Sequence, residues 1–177
     1  MRRRLPVFLL LSLTGCVSVR QLPLPNNDAI GGTYERARAG DRAAVRQLAD
    51  ANARGSNGLK ANDLEAQRLY LQSTEAGDPA AMVALAREKL GKDNDDAEYW
   101  FVRAARAGSR SGVDGLRGLY GDSRYGRQSL PLALKWSYVL NSRYWIDAHA
   151  KNLGPEQQAE ARRQADDWLS RYPLKTY

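Results

Sequence analysis

The sequence predicts an all-α fold: a short α-solenoid of antiparallel helix pairs with a C-terminal capping helix. Three observations lead to it. No stretch sustains the apolar alternation of a strand, whereas small residues and leucines recur at i, i+4 and i+7 or i+8, the spacing of one helix face. The body of the chain also repeats itself: AGDRAAVRQLA at 39–49, AGDPAAMVALA at 76–86 and AGSRSGVDGLR at 107–117 align with Gly40, Gly77 and Gly108 in register. Between these stretches lies a second motif, in which Ala66, Ala97 and Ala133 are followed three and four residues on by Leu69-Tyr70, Trp100-Phe101 and Trp136-Ser137.

In chain order, residues 1–15 read as an export signal. Arg2, Arg3 and Arg4 form a positive start, and Leu5 to Leu13 is an apolar run too short for a bilayer, which needs about 20 residues. Leu13-Thr14-Gly15-Cys16 follows, and it resembles the bacterial lipobox. That resemblance implies cleavage between Gly15 and Cys16, a diacylglycerol on the Cys16 thiol and acylation of the new amine. Several acyl chains, at about 0.8 kcal/mol per buried methylene, anchor a protein where one chain would exchange. The alternative is an ordinary cleaved signal with a chance cysteine. No intramolecular disulfide is possible, because Cys16 is the single cysteine. Val17 after the cysteine implies, in an organism with two membranes, the outer membrane and a periplasmic location. Loss of the three signal arginines lowers the formal net charge of +7, and the remaining basic excess is spread along helices with no arginine block interleaved with aromatics. Nucleic acid is therefore not an expected partner.

Residues 16–30 read as the lipidated N-terminus and a tether, because Pro23, Pro25 and the Asn26-Asn27-Asp28 cluster leave no usable period. Residues 31–145 carry the repeats. Helices are expected near 33–39, 42–54, 63–76, 79–90, 95–107, 110–120 and 130–142. The turn chemistry supports them: Gly77 suits a left-handed helix stop, Asp78 an N-cap and Pro79 a first turn, so A-G-D-P encodes stop, turn and start. Tyr70, Trp100, Phe101 and Trp136 are expected to fill the space between pairs. Loops at 55–63 and 121–129 absorb the unequal spacing of the motifs. Residues 146–177 form the capping region, with short helix 144–151 leading into a last helix at 155–171. There Ala161, Ala165, Trp168, Leu169 and Tyr172 share a face, Arg162–Asp166 and Asp167–Arg171 form exposed i,i+4 pairs, and Pro173 ends the helix.

DDAEYWFVRAARAG at 95–108, and GVDGLRGLY at 112–120 with LALKW at 132–136, resemble the Sel-one-like repeat family, a relative of the tetratricopeptide repeats. The family pattern couples A-x-x-x-L-G-x-x-Y on one helix to A-x-x-W-Y-x-x-A-A-x-x-G on the next. The resemblance covers about residues 33–145. Arg117 stands where the pattern has glycine, and the first repeat has Asn52 in place of the tyrosine. The resemblance implies about three repeats and an adaptor role in envelope assembly, secretion, polysaccharide export or stress signalling.

Catalytic material is sparse. His149 is the single histidine, so zinc sites and Cys-His pairs lack ligands, and a surface or capping role is expected for it. Asp93, Asp95 and Asp96 lack the spacing of a calcium loop, and Asp95 and Asp96 read as the cap and first-turn acid of the helix that follows. Gly31-Gly32 and GDSRYG lack the Lys-Ser/Thr of a phosphate loop. No cofactor, metal or catalytic residue is expected. Tyr120 and Tyr125 flank a long loop and are candidates for exposure.

The expected function is a non-enzymatic, lipid-anchored envelope adaptor. Its groove would be lined from the first helix of each pair by Arg46, Asp50, Arg87, Asp114 and Arg117, a mixed but mainly basic set suited to an acidic segment or polyanion. One alternative is a cell-wall glycan-binding protein or an accessory subunit of a cell-wall enzyme, which predicts a deep pocket with two carboxylates. A purely structural packing role is another.

Overall fold

The computed structural model describes residues 28–175. The signal segment, Cys16 and most of the tether therefore lie outside the described residues. Those described are helical, with no strand among them. The helices are α1 (Asp28–Arg38), α2 (Arg42–Arg54), α3 (Asp63–Glu75), α4 (Pro79–Lys89), α5 (Asn94–Arg106), α6 (Arg110–Gly121), α7 (Leu130–Val139), α8 (Arg143–Ala150) and α9 (Pro155–Arg171). A 3-10 turn, Ser123–Tyr125, lies in the loop between α6 and α7. None of these helices is long and apolar enough to cross a membrane.

The repeat punctuation is local chemistry. Gly40, Gly77 and Gly108 each take a left-handed φ, at 93°, 79° and 87°. The next residue caps the following helix. Asp41 accepts from the Ala43 and Ala44 amides, Asp78 from Ala80, and Ser109 from Gly112. A helix is thus ended and a new one started within three residues, and the chain folds back on itself. Helices pack α2 on α3, α4 on α5 and α6 on α7, with α3 against α4 and α5 against α6 linking the pairs into a short solenoid.

Two apolar clusters run along it. Ile30, Tyr34, Leu48, Leu69, Tyr70 and Leu85 belong to the first, and Phe101, Val113, Leu116, Trp136 and Ala165 to the second. Helix α4 divides itself between them, Ala81 and Leu85 facing one and Met82, Val83 and Ala86 the other. Of the four aromatics expected between pairs, Tyr70, Phe101 and Trp136 are buried, while Trp100 is half-buried and touches both clusters. The last open face is covered by α9, which packs on α7 through Ala161 and Ala165, with Trp168 edge-on to Trp136 at 4.9 Å.

Three boundaries differ from expectation. The tether was expected to reach Ile30, but α1 begins at Asp28, and Ile30 is only 2 % exposed because its side chain closes the first cluster. Helix α7 stops at Val139 rather than near 142, since Asn141 takes a left-handed φ of 52°. The cap of α5 is Asp93, which accepts from the Asp96 amide, leaving Asp95 and Asp96 as first-turn acids.

One stabilising device is invisible at the level of motifs. The residue two after the repeat glycine is Arg42, Pro79 or Arg110. Arg42 Nη1 donates to the Ala76 and Gly77 carbonyls at 3.2 and 3.1 Å, and Arg110 Nη2 to the Leu140 carbonyl at 3.0 Å. Each arginine thus neutralises the carbonyl end of the second helix in its own pair. The middle pair has proline there, and the C-terminal tail substitutes: the Lys175 amide donates to the Gly108 carbonyl at 3.1 Å. Arg110→Ala is expected to lower stability by about 0.5–1 kcal/mol, less in high salt, whereas Lys175→Ala leaves its backbone bond and changes little. Urea titrations at two ionic strengths check both.

Candidate functional site

The first helices of the pairs, α2, α4 and α6, contribute to two adjoining clefts that share Arg87. One, of about 430 Å³, is lined by Arg46, Asp50, Arg54, Tyr70 and Ser111 among others. The second, of about 480 Å³, takes Asp114, Arg117 and Gly118 from α6, Trp145 and His149 from α8, and Tyr125 from the 3-10 turn. The five residues expected along a groove, Arg46, Asp50, Arg87, Asp114 and Arg117, are therefore all cleft-lining.

Their charges are not equally available. Arg46 donates through Nη1 to Asp50 at 3.1 Å and through Nε to Asp78 at 3.0 Å. Asp50 also accepts the Tyr70 hydroxyl at 2.6 Å. Burial and the Asp50 carboxylate hold that phenol well above its ordinary range. Arg117 is only 13 % exposed, pairs with Asp114 at 2.8 Å, and lays its guanidinium over the Trp145 ring at 3.8 Å. Arg87, at the junction, is exposed and makes no ion pair or hydrogen bond among the described residues. The groove's internal pairs thus leave one uncompensated cation between its two halves.

His149 departs from the surface or capping role expected of it. It is 6 % exposed, and its Nδ1 lies 3.0 Å from Ser137 Oγ. That hydroxyl donates to the Ala133 carbonyl at 2.8 Å, so the network assigns the imidazole hydrogen to Nδ1 and leaves Nε2 an acceptor. The sequence carried a signal for this. Ser137 occupies the position held by Tyr70 and Phe101 in the preceding repeats, and the volume released by the small side chain receives the imidazole, stacked with Trp145 at 5.7 Å. Tyr120, a candidate for exposure, is instead buried, and burial together with the nearby Glu98 carboxylate pushes its phenol well above the ordinary range. Tyr125 is half-buried at the rim of the second cleft, under the Arg124 guanidinium.

Burial and, secondarily, the Arg117 charge lower the His149 pKa from its ordinary 6.5. Between that value and the lower folded one, the unfolded chain binds more protons than the folded chain. Its contribution is thus complete above 6.5 and is lost as the pH falls toward the folded pKa. Unfolding free energies from about pH 8 to pH 5 are expected to fall more steeply for the native chain than for His149→Gln. Parallel profiles would show that the imidazole is not the group responsible.

No group of three or more His, Cys, Asp or Glu placed to hold a metal occurs among the described residues. No protein-family model matches the chain, and no curated protein matches it. Among solved structures, it is similar to a protective antigen present in uropathogenic Escherichia coli strains, whose crystal structure displays an SLR fold. The two are 19 % identical, with a TM-score of 0.42, over 78 % of this chain and 40 % of that one. This chain therefore spans well under half the length of that protein.

Proposed function

We propose that this protein is a lipid-anchored, non-catalytic scaffold of the cell envelope that binds another envelope protein through the face built by α2, α4 and α6. The observation that carries the reading is the pair of clefts meeting at the unpaired Arg87. A rigid helical surface with an available cation at its centre favours a complementary acidic partner. The carboxylates at the clefts are already engaged: Asp50 with Arg46, Asp114 with Arg117 and Asp122 with Arg124. Arg124, through its side chain and backbone, holds Asp122 below the ordinary carboxylate range, opposite to the raised acid that glycoside hydrolysis requires. Anchoring rests on LTGC at 13–16, with Cys16 as the lipidated residue and Gly15–Cys16 as the cleavage site.

In-cell crosslinking of the native chain beside Cys16→Ser, read by mass spectrometry and membrane fractionation, tests this. The native chain is expected in the membrane fraction with one dominant envelope protein attached, and the variant in the soluble fraction. Retained glycan with no enriched protein would overturn the scaffold reading, and an unchanged distribution of Cys16→Ser would overturn the anchor.

A further inference from the structure

Helix α6 carries interior glycines whose roles differ. A Cβ on Gly112 would lie 2.7 Å from the Ala105 nitrogen, and one on Gly115 2.2 Å from the Phe101 ring, so close packing on α5 accounts for both. A Cβ on Gly118 would meet nothing within 4 Å. Packing does not require glycine there, and glycine inside a helix costs stability relative to alanine. Gly118 lines the second cleft, and its bare backbone leaves room on the cleft floor.

A separate observation points to a ligand at the same place. His149 is more than nine-tenths buried, yet it lines the cleft, and Nε2 has no hydrogen-bond partner among the described residues. That nitrogen lies 3.1 Å from where a Gly121 Cβ would be, so glycine keeps the approach to it open. Its lowered pKa keeps it a neutral acceptor near neutral pH. The cleft therefore offers an acceptor at Nε2, a free guanidinium at Arg87, and an apolar floor of Phe101 and Trp145 beside Gly118.

We infer that this cleft takes an extended acidic segment of a partner protein, with an Asp or Glu carboxylate on Arg87, a backbone N–H on His149 Nε2 and an apolar side chain over Gly118. Polypeptide supplies all three groups together, and charge complementarity at Arg87 selects the acidic ones. Arg117 does not compete for the carboxylate, since Asp114 and the Trp145 face already engage it. The inference rests on the scaffold reading and names what its groove holds.

Random peptides displayed on phage, selected on the full chain in detergent, supply the probe. Enriched peptides are expected to share an acidic residue beside an apolar one. Affinity of the consensus peptide is expected to weaken about tenfold or more with Arg87→Glu, and as much with Gly118→Leu, which fills the floor from a position whose Cβ meets no neighbour within 4 Å. Gly118→Ala is read for folding alone: it should raise Tm, because glycine inside a helix costs stability relative to alanine. Enriched peptides without acidic residues, or binding indifferent to both Arg87→Glu and Gly118→Leu, would overturn this site while leaving the scaffold reading in place. Failure of every peptide, with soluble wall glycan quenching the native tryptophan fluorescence, would overturn both.

Discussion

Replacing Phe101 by alanine is expected to remove about 3–5 kcal/mol from the unfolding free energy, a large share of a small domain's total of about 5–15. Phe101 is the largest of the fully buried side chains and sits in the second cluster, between α5 and α6. Its ring occupies the space that Gly115 leaves free, with Cε1 2.2 Å and Cδ1 2.3 Å from where a Cβ would be. Truncation thus opens a cavity with a helix backbone for one wall, which collapses little. The same geometry makes Gly115→Ala destabilising by about 1–3 kcal/mol through overpacking. The double variant Phe101→Ala/Gly115→Ala is then expected to be less damaged than the sum of the two by about 1 kcal/mol or more, because the new methyl enters the vacated space. Urea unfolding of the four chains measures the cycle, and strict additivity would refute the contact.

Asp78→Ala is the second large effect, expected at about 3 kcal/mol, against about 1 for Asp41→Ala. Both aspartates cap the first helix of a repeat at equivalent positions, and by motif they are interchangeable. Their surroundings are not. Asp41 caps alone, while Asp78 is buried and accepts from the Ala80 amide at 2.9 Å, Arg46 Nε at 3.0 Å and Ser73 Oγ at 3.2 Å. Removing it strips the cap and leaves the half-buried Arg46 guanidinium with Asp50 alone, while the Ser73 hydroxyl keeps the Arg42 carbonyl at 2.9 Å. Asp78→Asn retains a cap oxygen and should fall between the two. Equal losses at Asp41 and Asp78 in thermal or urea unfolding would show that the cross-repeat network adds nothing.

How much was legible in the sequence follows the range of each interaction. Helix starts and stops depend on a residue and its neighbours within one turn, so Gly77, Asp78 and Pro79 announce the α3–α4 turn without any tertiary information. The ion pairs Arg162–Asp166 and Arg171–Asp167 lie one helical turn apart and were equally plain. The apolar face of α9, and the fact that something must cover the last pair, came from periodicity together with the solubility of a finite repeat array. Ile30 was misplaced because a short helix preceded by prolines and asparagines carries too few apolar residues to show a period.

The site was legible only in part. That Arg46, Asp50, Arg87, Asp114 and Arg117 share one side follows from repeat position alone, and all five line the clefts. Which of them is free was not legible, because Asp78 reaches Arg46 from the next repeat and Trp145 reaches Arg117 from α8. His149 was missed for the same reason: the small residue at Ser137 hinted at a space, but only the return of α8 across α7 decides what fills it. The sequence by itself determined the all-helical class, the repeat register, the capping chemistry and the expected face, since each is set by residues within a turn or by strict periodicity. Tertiary structure alone decided that Arg87 is unpaired, that His149 is buried with an open Nε2, and that Gly118 faces a cleft rather than a helix. These depend on how stacked helices bring distant side chains within bonding distance, a three-dimensional condition that no local spacing encodes.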